Sequence, residues 1–332
     1  MLVVLIAVVG LVFYLQNQED DQMDELQSER NFAVPKEDIT KLVIAEKSGK
    51  ITTVEKVDDQ WVLNDKYDVG EDVMAMVLNS LSRVRIQYIP PKAAYENIMD
   101  EMGRLGMKIM VYNKRGLAKS YYIGGVTPDE SGTYYLMEGS DQPFVMEMPG
   151  MIGSPRRRYI KEIDQWRDRA IFNVDKEEIQ SIAVDFPKAK DYSFTVDVNR
   201  RDYEVKPLYD STEVINKEFN ESSVEKFVTD ISEVYMEAYV NDLPKKDTII
   251  RDYIPTYSAT ITNEDGSKRK VNLYPYDEIN DGKNYDVIEQ ESPIVRYYVY
   301  IQDENKGNDF GIAQHRIVKK MFWSYPQFFF GK

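Results

Sequence analysis

Few residues in this chain could do chemistry, and counts restrict what they could do. His315 is the single histidine, and there is no cysteine. That excludes disulfides, thiolate metal sites, cysteine nucleophiles and any site built from several histidines. A general base needs an orienting partner, and the spacing around Gln314-His-Arg-Ile-Val-Lys-Lys320 supplies none. His315 therefore reads as a surface or capping residue on a helix. The loop Thr127-Pro-Asp-Glu-Ser-Gly-Thr133 is rich in oxygen ligands, but its spacing is not that of a calcium-binding EF-hand. A tight turn between strands accounts for it better. With 57 acids, carboxylate pairs for glycoside hydrolysis stay open, since spacing across a sheet is invisible in a sequence. No Gly-x-Ser-x-Gly, Walker or dinucleotide-binding glycine motif occurs.

Two clusters remain as candidate partner-binding sites. Ser154-Pro-Arg-Arg-Arg158 is a basic patch in an acidic chain, and Arg156, Arg157 and Arg158 could meet a phosphate, a lipid headgroup or an acidic partner. The structural alternative is a solvated helix start balanced by Glu162, Asp164 and Asp168. The aromatic terminus Met321-Phe-Trp-Ser-Tyr-Pro-Gln-Phe-Phe-Phe330 offers Trp323, Phe328 and Phe329 as an exposed patch, or else a buried last element.

The elements that must position these residues are legible from periodicity. Strand patterns run over 39–45, 50–57 and 60–63, the last two joined at Asp58-Asp59. Over 71–84 the period changes, and Val73, Val77, Leu78, Leu81 and Val84 fall on one helical face. Pro90-Pro91 stops that element, and 96–105 predicts a second helix. Hairpins follow over 107–123, turning at Asn113-Lys-Arg-Gly116, and over 132–148, before a helix over 157–170. The second half repeats this order. Asn113–Gly116 matches Asn263–Gly266, an offset of 263 − 113 = 150. Trp166 and Phe172 match Trp323 and Phe329, and 323 − 166 equals 329 − 172. The expected fold class is α+β, in two tandem duplicated units, each an antiparallel sheet with helices packed on one face. The units would span 32–173 and 174–332.

Ahead of them lies an uncharged apolar run, Met1 to Leu15. At ~1.5 Å per residue, such a helix is shorter than the ~30 Å hydrocarbon core. No small-residue cleavage site follows it, so an uncleaved single-pass anchor over 1–16 is favoured over a signal peptide. No Lys or Arg precedes the run, which suggests a true start upstream of Met1. Residues 17–31 read as an acidic juxtamembrane linker or an extended exposed helix. The net charge of −15 disfavours nucleic acid as a partner.

The order Phe32-Ala-Val34, Ile39-x-x-Leu42, Trp61-x-Leu-Asn64, Tyr122-Ile-Gly-Gly125, Gly132-Thr-Tyr134, Pro149-Gly150 and Trp166-Arg-x-Arg169 resembles domain-of-unknown-function family 4340 in its Bacteroidetes-type form. The resemblance implies a membrane-anchored, exported protein. It further implies an association with ABC-type transport systems linked to gliding motility, and it brings no catalytic residues. The resulting expectation is a non-enzymatic interaction or scaffold protein without cofactor. It would sit on the cytoplasmic membrane with its folded region in the periplasm, and its partners would be other envelope or membrane proteins. The alternative is an envelope glycan-binding or glycan-processing protein that uses surface carboxylates and tyrosines.

Overall fold

Strand β1 (Ile39–Ala45) shows how the first sheet is built: Leu42 and Ile44 are buried on one face while Lys41 and Val43 face the other way. The computed structural model describes residues 31–151, 153–199, 202–281 and 296–330. The expected anchor and nearly all of the acidic linker lie outside these residues. No helix among the described residues is long and apolar enough to cross a membrane. The chain divides into two compact units at 168/169, five residues before the expected 173/174.

The first unit continues with β2 (Ile51–Val57), β3 (Gln60–Leu63) and β4 (Tyr67–Asp68). Asp58 and Asp59 both take positive φ, 46° and 67°, which matches the twist of a two-residue hairpin. Helix α1 (Glu71–Arg83) buries Val73, Met74, Val77 and Leu81. Then come β5 (Arg85–Tyr88), helix α2 (Tyr95–Leu105), β6 (Met107–Asn113), β7 (Gly116–Val126), β8 (Thr133–Met137) and β9 (Pro143–Glu147). All pair antiparallel, in the order β4-β3-β2-β1-β6-β7-β8-β9-β5. At the β6–β7 turn, Asn113 Oδ1 accepts the amide of Arg115 at 2.8 Å and Gly116 sits at φ 114°.

Two sequence expectations change here. The α1 pattern does not run to the prolines, because β5 intervenes and pairs with β9. The helix expected over 157–170 is a 3-10 turn over Pro155–Arg158 and a single turn, α3 (Ile163–Trp166). No apolar stripe sustains a longer helix there: Ile160 and Ile163 are exposed, and Trp166 alone of that turn is buried.

The second unit opens with β10 (Ala170–Asn173), β11 (Ile179–Asp185), β12 (Phe194–Asn199) and β13 (Asp202–Pro207). Helix α4 (Glu221–Ser232) is followed by β14 (Glu233–Tyr235), β15 (Ala238–Tyr239), α5 (Lys246–Asp252), β16 (Tyr257–Asn263), β17 (Lys268–Pro275) and α6 (Tyr276–Asp281). Strands β18 (Arg296–Asp303) and β19 (Gly307–Gln314) and the single turns α7 (His315–Val318) and α8 (Gln327–Phe330) complete it. Its main sheet has the order β13-β12-β11-β16-β17-β18-β19-β15, which repeats the first sheet strand for strand from β3 to β5. The detail also repeats. A bulge between Ile39 and Lys41, opposite the end of β6, recurs between Ile179 and Ser181, opposite the end of β16. Val34 N donates to Leu81 O at 3.0 Å, and Val174 N to Ser232 O at 3.0 Å. Each unit thus begins with a segment tied to the last turn of its own core helix. By this register Phe172 corresponds to Phe32 rather than to Phe329.

Helices occupy both faces of each sheet, not one. In the first unit α1 belongs to the large core, while Ile98 and Met102 of α2 pack with Leu136 on the opposite face. In the second, α4 lies in the large core, and Ile249 of α5 packs with Tyr274, Tyr298 and Phe310 across the sheet. Short apolar pairs on α2 and α5 suffice to cover part of a second face.

Val77 and Leu81 are fully buried, so Leu81→Ala should cost the first unit about 2–5 kcal/mol. Urea unfolding read by Trp61 and Trp166 checks this. Met76→Ala, on the exposed side of α1, should stay within about 0.5 kcal/mol.

Candidate functional site

Ser154 starts the basic turn. Its hydroxyl accepts the amide of Arg156 at 3.2 Å and the hydroxyl of Thr133 at 2.7 Å, and Pro155 takes the first helical position. The turn then sends its three arginines to different places. Arg156 points inward: its guanidinium donates to Ile123 O (2.7 Å), Gly124 O (3.1 Å) and Leu105 O (2.5 Å). These carbonyls need a donor. Leu105 ends α2, and the β7–β8 register shifts between Ile123 and Val126. Burial lowers the Arg156 pKa, with Glu46 and Glu101 acting against that. Arg156 is thus a clamp on backbone carbonyls, which corrects its assignment to a partner surface. Arg158 is half-buried against α1, where it donates to Ser80 Oγ at 3.1 Å and Met76 O at 3.3 Å. Arg157 is exposed.

The aromatic terminus is corrected in the same sense. Trp323, Phe328 and Phe329 are buried in the core of the second unit. Phe328 meets Phe194 edge-on at 4.9 Å and stacks beside Trp323 at 5.4 Å. Asn220 N donates to Phe328 O at 2.8 Å, and Tyr325 N to Tyr192 O at 3.0 Å. The run is apolar because it plugs one end of a core. Phe330 is 68% exposed and carries the Lys217 ammonium 4.8 Å above its ring.

His315 Nδ1 lies 3.0 Å from Tyr297 Oη, with the ring against Phe322. Burial lowers its pKa, and Lys319 adds to the shift. It caps a buried tyrosine. The Thr127–Thr133 loop closes on itself: Asp129 Oδ1 accepts Ser131 N at 3.2 Å, and Thr127 Oγ1 accepts Gly132 N at 3.0 Å. Among the described residues no three carboxylates or imidazoles converge as a metal cage would require. Inside the first unit, Tyr121, Tyr135 and Tyr159 are fully buried, and desolvation pushes their phenols upward. None could act as a phenolate near neutral pH.

The second sheet carries a shallow open depression of about 330 Å³, lined by Thr260, Lys268, Lys270, Gln302, Asp303, Glu304 and Asn308. Its acids do not form a free pair across a groove. Asp303 is held by Arg269 at 2.8 Å, and the same guanidinium donates to Ile171 O (2.7 Å) and Ala170 O (2.6 Å). Arg269 is the counterpart in function of Arg156, a strand arginine that ties down free carbonyls. Nothing in the spacing of Lys268-Arg-Lys270 signals that role.

Part of the first sheet's face opposite its large core interleaves charged and apolar residues. There Lys41 pairs with Glu55 at 2.7 Å and Lys108 with Glu138 at 2.5 Å, and Val43 and Met110 stand half-buried between them.

The sequence model of a family described as "Domain of unknown function (DUF4340)" matches residues 99–251. The matched stretch begins inside α2 and ends inside α5, so it takes in parts of both units. No curated protein matches the chain.

Arg156→Ala should leave three carbonyls without their donor and cost about 2–3 kcal/mol, while Arg157→Ala should stay within about 0.5 kcal/mol. Trp61 and Trp166 fluorescence during urea unfolding separates the two. For His315, a lowered native pKa means that the unfolded chain binds the proton more readily. The second unit should therefore lose stability as pH falls below about 6.5, the ordinary histidine value. His315→Gln should flatten that slope in Trp323 fluorescence melts taken from pH 7.5 to 5.5.

Proposed function

We propose that this chain is a membrane-tethered interaction or scaffold protein of the cell envelope. Its anchor would be the apolar run 1–15, its folded region would lie in the periplasm, and its role would be accessory to an ABC-type transport or gliding-motility complex. The observation that carries this reading is how the chemically capable side chains are used. Arg156 and Arg269 bond to backbone carbonyls, Asp303 answers Arg269, and His315 meets Tyr297. What is left toward solvent is sheet surface with interleaved lysine–carboxylate pairs and half-buried apolar residues. Such a surface suits protein recognition, in which a few anchors and a polar rim supply specificity. The repeated strand order supports descent of both units from one α+β ancestor. Two related surfaces on one tether would let a scaffold hold two partners at high effective concentration.

Affinity purification of the full chain from gently solubilised membranes tests the proposal. Co-purification of permease or other envelope subunits in fixed proportion is expected. Recovery of the chain alone, or its fractionation with soluble cytosol, would count against it.

A further inference from the structure

We infer that the corner where the chain enters the first unit docks onto anionic lipid headgroups, so that the unit rests on the bilayer that holds its anchor. The inference builds on the tethered reading above. Its first support is position. Val34 N bonds to Leu81 O in the last turn of α1. In that same stretch Arg158 reaches Ser80, and Arg83, the final residue of the helix, reaches Pro149 O at 3.4 Å. Arg83, Arg157 and Arg158 thus lie on elements that meet at the last turn of α1, where the chain enters.

The second support is charge. The chain carries −15 overall, yet Arg83, Arg157 and Arg158 take part in no ion pair among the described residues. The neighbouring acids are already engaged: Glu147 with Arg85 at 2.6 Å, Glu162 with Lys50 at 3.0 Å, Asp164 with Arg167 at 3.3 Å. Ile160 and Ile163, 42% and 40% exposed, follow directly on the basic turn. Guanidiniums beside exposed aliphatic groups match the headgroup layer, where phosphodiesters meet the first methylenes of the acyl chains.

The third support is reach. From Leu15 to Asn31 the chain can extend at most about 55 Å. On the tethered reading the entry corner therefore stays within that reach of the bilayer that holds the anchor. The competing occupant is the linker itself, with Glu19, Asp20, Asp21, Asp24, Glu25 and Glu29.

The test uses the full chain in nanodiscs of phosphatidylcholine alone and of phosphatidylcholine with phosphatidylglycerol. Hydrogen exchange is read over residues 154–163 and the last turn of α1. With phosphatidylglycerol present, exchange there should slow at least about threefold, with the open sheet faces unchanged. The double substitution Arg83→Glu and Arg157→Glu, on exposed side chains, should abolish the difference without lowering the urea midpoint of the first unit. A charge-neutral pair, Arg83→Gln and Arg157→Gln, should do the same if the glutamates impair folding. Equal exchange in both discs, as the linker or a protein occupant would give, overturns the docking inference and leaves the tether standing. Failure of the chain to remain in either disc overturns the tethered reading, and the docking inference with it.

Discussion

Burial of one amphipathic helix against the inner face of each sheet is the constraint that the rest of the chain answers to. Val77 and Leu81 of α1 lie at zero exposure, as do Val224 and Ile231 of α4. A helix that is covered on one side only must be fixed in direction as well as depth. The entering segments do this, through Val34 to Leu81 and Val174 to Ser232. Once helix and entry are fixed, the first strand of each main sheet, β1 or β11, falls in mid-sheet. It then pairs with β6 or β16 across the intervening helices, and the bulge beside that pair is kept.

Polar side chains are recruited to close what this packing leaves open. Bulges, helix ends and strand termini expose carbonyls whose desolvation is costly unless a donor arrives. A guanidinium offers five donors in a fixed fork, so one arginine can satisfy several carbonyls at once. Arg156 does so where α2 ends beside β7, and Arg269 does so over the first residues of β10. Charges that look available for ligands in the sequence are used this way inside the fold. The arginines left over, Arg83 and Arg157, are at the surface near the entry point.

Legibility followed the range of the interaction. Helices α1 and α2 and the hairpins around Asp58-Asp59 and Asn113–Gly116 depend on neighbours in sequence, and they lie where periodicity and turn chemistry put them. The helix expected over 157–170 failed because no apolar stripe sustains it, with Ile160 and Ile163 exposed. Trp166 is instead buried at the end of one turn, and Arg167 bridges to Val69. Strand β5 was invisible, since four residues between a helix and two prolines carry too little pattern. Its partner β9 is about sixty residues away.

By itself the sequence determined the α+β class, the antiparallel hairpins, the apolar run before the fold and the repeating order of elements, because periods of 2 and 3.6 and turn residues act locally. Only the tertiary structure decided which side chains are free. Trp323, Phe328 and Phe329 differ little in type from a docking patch, and Arg156 is the same residue as Arg157. Their fates separate because a core needed a plug and three carbonyls needed a donor, and both needs arise between segments far apart in the chain.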